Sequence, residues 1–150
     1  MMGRQPDAQQ KLFYTCLNLE KRIRKDHILR KIVKLIDFDF IYKQVEDKYG
    51  NKGNVSVPPP VILKMMLLLI LYNVRSEREL MQTIPERLDW LWFLGYDIDD
   101  EIPNHSVLSK ARTRWGTDAF QYFFECIVSQ CVQAGLIDGS KMFTDASLVQ

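Results

Sequence analysis

Along most of the chain, apolar residues recur at steps of three and four, the period of a helix buried on one side. Ile28, Leu29, Ile32, Val33, Leu35 and Ile36 form the first such stripe, and Asp26 just ahead of it suits a helix N-cap. A second, shorter helix is predicted over 38–49, closed by Gly50, a residue that tolerates the left-handed conformation found at helix ends. Gly50 to Asn54 reads as a flexible loop and the obvious hinge. The prolines of Val57-Pro58-Pro59-Pro60 then stiffen the approach to a run of apolar residues, Val61 to Tyr72. That run holds twelve residues and includes Lys64, against roughly 20 apolar residues needed for a membrane span. It is predicted to be a buried core helix.

Beyond it, Ser76-Glu77-Arg78-Glu79 has the spacing of a capping box, and the short helix it starts should stop near Pro85. Leu88 to Tyr96 packs Trp90, Trp92 and Phe93 among leucines, which reads as core rather than as a ligand-stacking platform. Pro103-Asn104-His105-Ser106 opens a further helix. At roughly 100° per residue, Val107, Leu108, Ala111 and Trp115 share one arc. Ser106, Ser109, Lys110 and Thr113 occupy the opposite side, with Arg112 and Arg114 towards the flanks. A last long helix is predicted from Asp118 to Ala134, with Phe120, Phe123, Phe124, Ile127, Val128 and Cys131 as its apolar stripe and Gly135 at its end.

The period changes after the turn Ile137 to Ser140. Lys141 to Val149 lacks helix signals and is predicted to be a strand. A single strand has no neighbour to satisfy its backbone, so the 150 residues are expected to be the front part of something longer. The expected organisation is an all-α unit over residues 1–135, with a helix-turn-helix-like part, and the beginning of a second domain over 136–150.

Composition adds little except through its distribution. A chain that is 47% hydrophobic and 26% charged is ordinary for a globular protein and excludes disordered or fibrous classes. The charges nearly cancel, yet residues 1–36 carry nine basic against three acidic side chains, leaving the remainder acidic. Lys21, Arg22, Arg24 and Lys25 stand at the centre of this basic stretch, which suits an anionic partner or a solvated helix face. Cys16, Cys126 and Cys131 lack metal-ligand spacing and read as reduced thiols of a cytoplasmic protein. The first fifteen residues have no continuous apolar core, so no secretory signal is expected.

Two constellations have chemical potential. On the helix that Asn104 opens, hydroxyls and cations (Ser106, Ser109, Lys110, Arg112, Thr113, Arg114) sit without any acidic residue, the composition that phosphate contacts and base-edge hydrogen bonds require, with the cations supplying charge and Asn104 or Ser109 directional bonds. The competing reading is a solvated surface. The helix from Ser76 to Ile84 is the possible partner of a helix-turn-helix, although some twenty residues separate the two. The second constellation is Asp145, a carboxylate on the predicted strand of the kind that ligates Mg²⁺; one carboxylate cannot hold a two-metal site, and Asp138 reads as a turn former. His27 and His105 lie beside helix starts and read as capping or surface residues.

Taken together, Glu20-Lys21-Arg22-Ile23, Asp26-His27, Leu29-Arg30-Lys31-Ile32, Pro58-Pro59, Arg75 to Leu80, Trp92-Phe93-Leu94-Gly95, Asn104-His105-Ser106 with Arg112 and Arg114, and Phe143-Thr144-Asp145-Ala146-Ser147 resemble bacterial insertion-sequence transposases of the DDE type. The resemblance spans nearly the whole chain and rests on the order and spacing of these segments. It implies a helical N-terminal domain that recognises the terminal inverted repeats of a mobile element in double-stranded DNA and pairs its ends as a homodimer. It also implies an RNase H-like domain whose three acids hold Mg²⁺, with Asp145 matching the first; the second Asp and the Glu have no counterpart here, so only the full-length enzyme would be catalytic. The implied location is cytoplasmic and nucleoid-associated, with no membrane partner. A non-enzymatic helical interaction module, or the relic of a decayed element, is the alternative from another class.

Overall fold

The apolar run at the middle of the sequence forms the axis around which the other helices assemble. In the computed structural model, residues 17–48 and 57–136 are described. All regular structure among them is helical: α1 (Leu19–Arg22), α2 (Ile28–Leu35), α3 (Ile41–Val45), α4 (Pro59–Leu71), α5 (Glu77–Thr83), α6 (Leu88–Leu94), α7 (Val107–Trp115) and α8 (Thr117–Gln133), with 3-10 turns at Glu46–Lys48 and Ile84–Glu86. The predicted strand with Asp145, the Gly50–Asn54 hinge and Cys16 lie outside the described residues.

Pro58 to Pro60 begin α4 as expected. Pro59 and Pro60 bring no N–H groups to a turn where such groups lack helical partners, and the N–H groups of Val61 and Ile62 both reach the Pro58 carbonyl. Nine of the thirteen α4 residues are buried, and α3, α5, α6, α7 and α8 all pack against it. The helix ends at Asn73, which adopts a positive φ of 51°. There the Asn73 N–H bonds the Ile70 carbonyl and the Val74 N–H bonds the Leu69 carbonyl, closing the terminus in a Schellman arrangement. Asparagine does here what glycine usually does.

Around this axis the predicted core is largely the observed one. All six residues of the α8 stripe are buried, as are Trp90 and Phe93. Trp115 of α7 packs edge-on against Phe123 at 6.3 Å and lies 5.5 Å from Phe120, which fastens α7 to α8 across a turn only one residue long, Gly116. Cys126 and Cys131 are free thiols, and burial pushes the Cys131 thiol up to about 11, so it acts as an apolar filler and not as a nucleophile.

Two local readings are corrected. The α2 stripe narrows to Leu29, Ile32 and Ile36, while Val33 and Leu35 are exposed, because Leu35 lies about 100° from Ile36 around the helix and falls off the seam. The α2 cap is His27 and not Asp26: its Nδ1 accepts from the Leu29 N–H at 3.0 Å. With Nδ1 accepting, the proton sits on Nε2, which donates to Asp89 Oδ2 at 3.0 Å on α6. One imidazole therefore starts one helix and ties it to another.

Asp89 is a junction. Besides His27, Arg87 donates to both its oxygens, through Nε at 3.0 Å and Nη2 at 2.6 Å, and the Trp90 N–H adds a fourth bond at 2.9 Å. Burial pushes the Asp89 carboxyl upward, but the bonds and charge of Arg87, helped by His27 and Trp90, outweigh it and hold the group below its ordinary value of 3.8. A folded-state value below the unfolded one gives stability that is present above pH 3.8 and is lost as pH falls through the depressed value. Replacing Asp89 with Asn is expected to lower the melting temperature at pH 7 and to flatten its fall between neutral and acid pH. Thermal unfolding of both proteins across that range is the check.

Candidate nucleic-acid interface

Helix α7 begins where the sequence places it, but Asn104 has a local task. Its Oδ1 accepts from the Ser106 N–H at 2.9 Å and its carbonyl accepts from the Val107 N–H at 3.0 Å, so the residue builds the turn into the helix. Leu108, Ala111 and Trp115 then face the core, and Ser109, Lys110, Thr113 and Arg114 are exposed on the other side. Ser106 is half-buried at the N-terminal end. The Thr113 hydroxyl donates to the Ser109 carbonyl one turn back at 3.1 Å, and its oxygen keeps the capacity to accept. Residues 104–115 contain no acidic side chain, and Lys110 and Arg114 stand on this face with hydroxyls between them.

Arg112 belongs to a different environment. Its Nη2 pairs with Glu77 Oε1 at 2.6 Å, approaches Met66 Sδ at 3.6 Å, and its guanidinium carbon lies 5.2 Å from the Phe120 ring centre. The side chain is 30% exposed and its Glu77 partner 23%. Roughly 200° of helical rotation separates Arg112 from Lys110, which carries it past Leu108 towards the buried arc. It thus forms one wall of a cleft of about 840 Å³ between the end of α4, the start of α5 and the α7–α8 turn. Glu77 sits in the first turn of α5, whose start is fixed by Ser76: the Ser76 hydroxyl accepts from the Glu79 N–H at 3.1 Å. Between α5 and α7 lie a 3-10 turn, α6 and residues 95–106, and the two helices meet through the Arg112–Glu77 pair.

The basic stretch is also divided. Lys21, Arg22, Arg24 and Lys25 are exposed at the end of α1 and in the turn to α2, and Arg24 lies 3.4 Å from Asp26. Arg30 is instead a structural clasp. It bonds the Glu20 carboxylate, the Glu20 carbonyl, the Ile23 carbonyl at 2.7 Å and the Arg24 carbonyl at 3.0 Å, satisfying acceptors at the end of a helix four residues long. Its guanidinium carbon lies 4.8 Å from the Trp92 ring centre, and Trp92 Nε1 donates to Glu20 at 2.6 Å. These bonds hold the Glu20 carboxyl below its ordinary range.

Arg87 is a cation that reading helix by helix passes over. Its guanidinium carbon lies 4.5 Å from the ring centres of both Tyr72 and Trp90, and it shares a cleft with Arg22 and Arg24, some sixty residues earlier. The Arg-x-Asp spacing of Arg87 and Asp89 signals the local ion pair, whereas the convergence with Arg22 has no sequence signal. Among the described residues, no group of three or more His, Cys, Asp or Glu side chains converges to hold a metal. The expectation of Mg²⁺ rests on Asp145, outside them. Nor, among the described residues, is any helix long and apolar enough to cross a membrane.

Because Arg112 is braced by Glu77 and packed on Phe120, Arg112→Ala is expected to cost about 1–2 kcal/mol of stability. Urea unfolding measures that cost, and Glu77→Gln should reproduce part of it.

No curated protein and no solved structure gives a match. A family model does: the one described as Transposase domain (DUF772) matches residues 17–114, which run from just before α1 almost to the end of α7 and cover most of the helical body. The chain belongs to this transposase domain family.

Proposed function

We propose that this helical body is the DNA-recognising front part of a DDE-type transposase, binding the terminal inverted repeats of a mobile element as a homodimer. The observation that carries the reading is the outer face of α7, where Ser109, Lys110, Thr113 and Arg114 stand exposed on a segment free of acidic residues. Membership of a transposase domain family supports DNA as the anionic partner of that face. Lys110 and Arg114 take backbone phosphates, and Ser109 and Thr113 supply directional bonds to phosphate or to base edges. Ser106 and Asn104 set the start of the helix. Arg112 is a positioning residue that holds α7 against α5, so that α5 and α7 act together as the helix-turn-helix-like part. Lys21, Arg22, Arg24 and Lys25 add cationic contacts to the duplex backbone. Asp145 is proposed as the first of three acids that ligate Mg²⁺ in the full-length enzyme, and the body described here supplies no step of that chemistry.

Binding to duplex DNA carrying an element end should weaken steeply with salt, because each neutralised phosphate releases counterions. Lys110→Ala is expected to reduce the slope of log affinity against log salt by roughly 0.9, the value of one phosphate contact, with an unchanged melting temperature. Fluorescence anisotropy at a series of salt concentrations measures it. An unaltered slope would remove α7 from the interface, and equal affinity for repeats and random duplexes would favour a relic or interaction module over a sequence-reading domain.

A further inference from the structure

Outside α7, three arginines from two distant parts of the chain line one cleft. Arg22 ends α1, Arg24 lies in the turn to α2 and Arg87 precedes α6, and His27 and Asp89, bonded to each other, line the same cleft. The cleft is shallow, open and about 570 Å³ in volume. We infer that it is a phosphate-binding site, in which Arg22, Arg24 and Arg87 grip a phosphate of the DNA backbone apart from the α7 face. The inference rests on the proposed DNA-binding reading for its ligand's source, though not for its chemistry.

Charge and geometry support it. Three arginines line the cleft against one acidic residue, Asp89, whose oxygens already accept from Arg87, His27 and the Trp90 N–H. The carboxylate is therefore neutralised from within, and the charge left over at the mouth is positive. Arg87 is pre-organised. Asp89 takes two of its five N–H donors, the Tyr72 and Trp90 rings hold its plane, and its side chain is 36% exposed. A planar fork fixed in this way loses little rotamer freedom when it meets a tetrahedral oxyanion. Arg22 and Arg24 are exposed, and the contact of Arg24 with Asp26, at 3.4 Å between side chains 74% and 82% exposed, is too solvated to compete with a phosphate. A cationic ligand would meet the arginines first, which leaves an anion as the fitting occupant.

Two arms test the site on the full 150-residue chain. In the first, anisotropy of an end-bearing duplex is followed against salt for the unaltered protein, Arg22→Glu/Arg24→Glu, Arg87→Lys and Lys110→Ala. The double substitution touches exposed side chains, so the fold should hold, as circular dichroism will check; it should cut affinity at least tenfold and lower the salt slope by roughly two. Arg87→Lys keeps the charge but loses the fork, which also braces Asp89, so a several-fold loss of affinity is expected together with a lowered melting temperature that still leaves the chain folded at the assay temperature. In the second arm, inorganic phosphate is titrated while the Nε–H resonance of Arg87 is observed, where a saturable shift is expected. A slope that falls with Lys110→Ala but not with the double substitution overturns the cleft and the proposed duplex contacts of Arg22 and Arg24, and leaves the α7 face standing as the proposed DNA interface. Absence of DNA binding with a saturable phosphate shift overturns the proposed function and keeps the cleft as a site for free phosphate. Neither response overturns both.

Discussion

A helix with nine of thirteen residues buried needs neighbours on every side, since apolar surface left in water forfeits about 25 cal/mol for each Å². That demand organises the molecule. Short helices such as α3, α5 and α6 are too brief to persist alone; packing on α4 is what makes them helices, and their polar sides are then presented by default. The one cation on α4, Lys64, follows the same logic. Its ammonium lies 5.3 Å from the Phe38 ring centre and 5.4 Å from that of Phe93, and burial lowers its pKa while Asp39 works the other way.

Polar contacts then decide where the ends of the helices go. Arg30 gathers carbonyls at the end of α1 and rests on Trp92, so the basic stretch around Lys21 to Lys25 is anchored to α6. His27, Asp89 and Arg87 repeat the pattern one step along, linking the start of α2 to the start of α6 and, through ring stacking, to the end of α4. Exposed arginines sit beside structural ones because the anchor that holds the segment has the same charge as the groups it displays.

Much of this was legible in the sequence, and the failures have physical causes. The α8 stripe, the cap at Ser76, the buried α4 and the two faces of α7 all follow from local spacing, which a single helix determines. His27 took the cap from Asp26 because its partner Asp89 lies sixty-two residues away, and no periodicity reports a contact of that range. Trp92 read as core, yet it is half-buried beneath a guanidinium, since cation–π packing leaves no trace in hydropathy. For the cleft of Arg22, Arg24 and Arg87 the same limit applies more strongly: each residue is ordinary in its own segment, and only the fold makes them neighbours.

Arg112 shows how far a helical wheel can be trusted. Three cations lie within five residues on α7, and composition treats them alike. Rotation separates them: Lys110 and Arg114 sit about 40° apart on the outer face, whereas Arg112 lies nearer Leu108 than either. An arginine at the edge of the buried arc can lay its stem on apolar neighbours, here Met66 and Phe120, while its head meets an acid from the next helix, Glu77. That acid neutralises Arg112 and fixes the roll of α7 about its own axis, which in turn determines which hydroxyls and cations face outward. The pair with Glu77 commits the Arg112 charge to holding α7 against α5, and Lys110 and Arg114 are thereby held at a defined angle on the outer face.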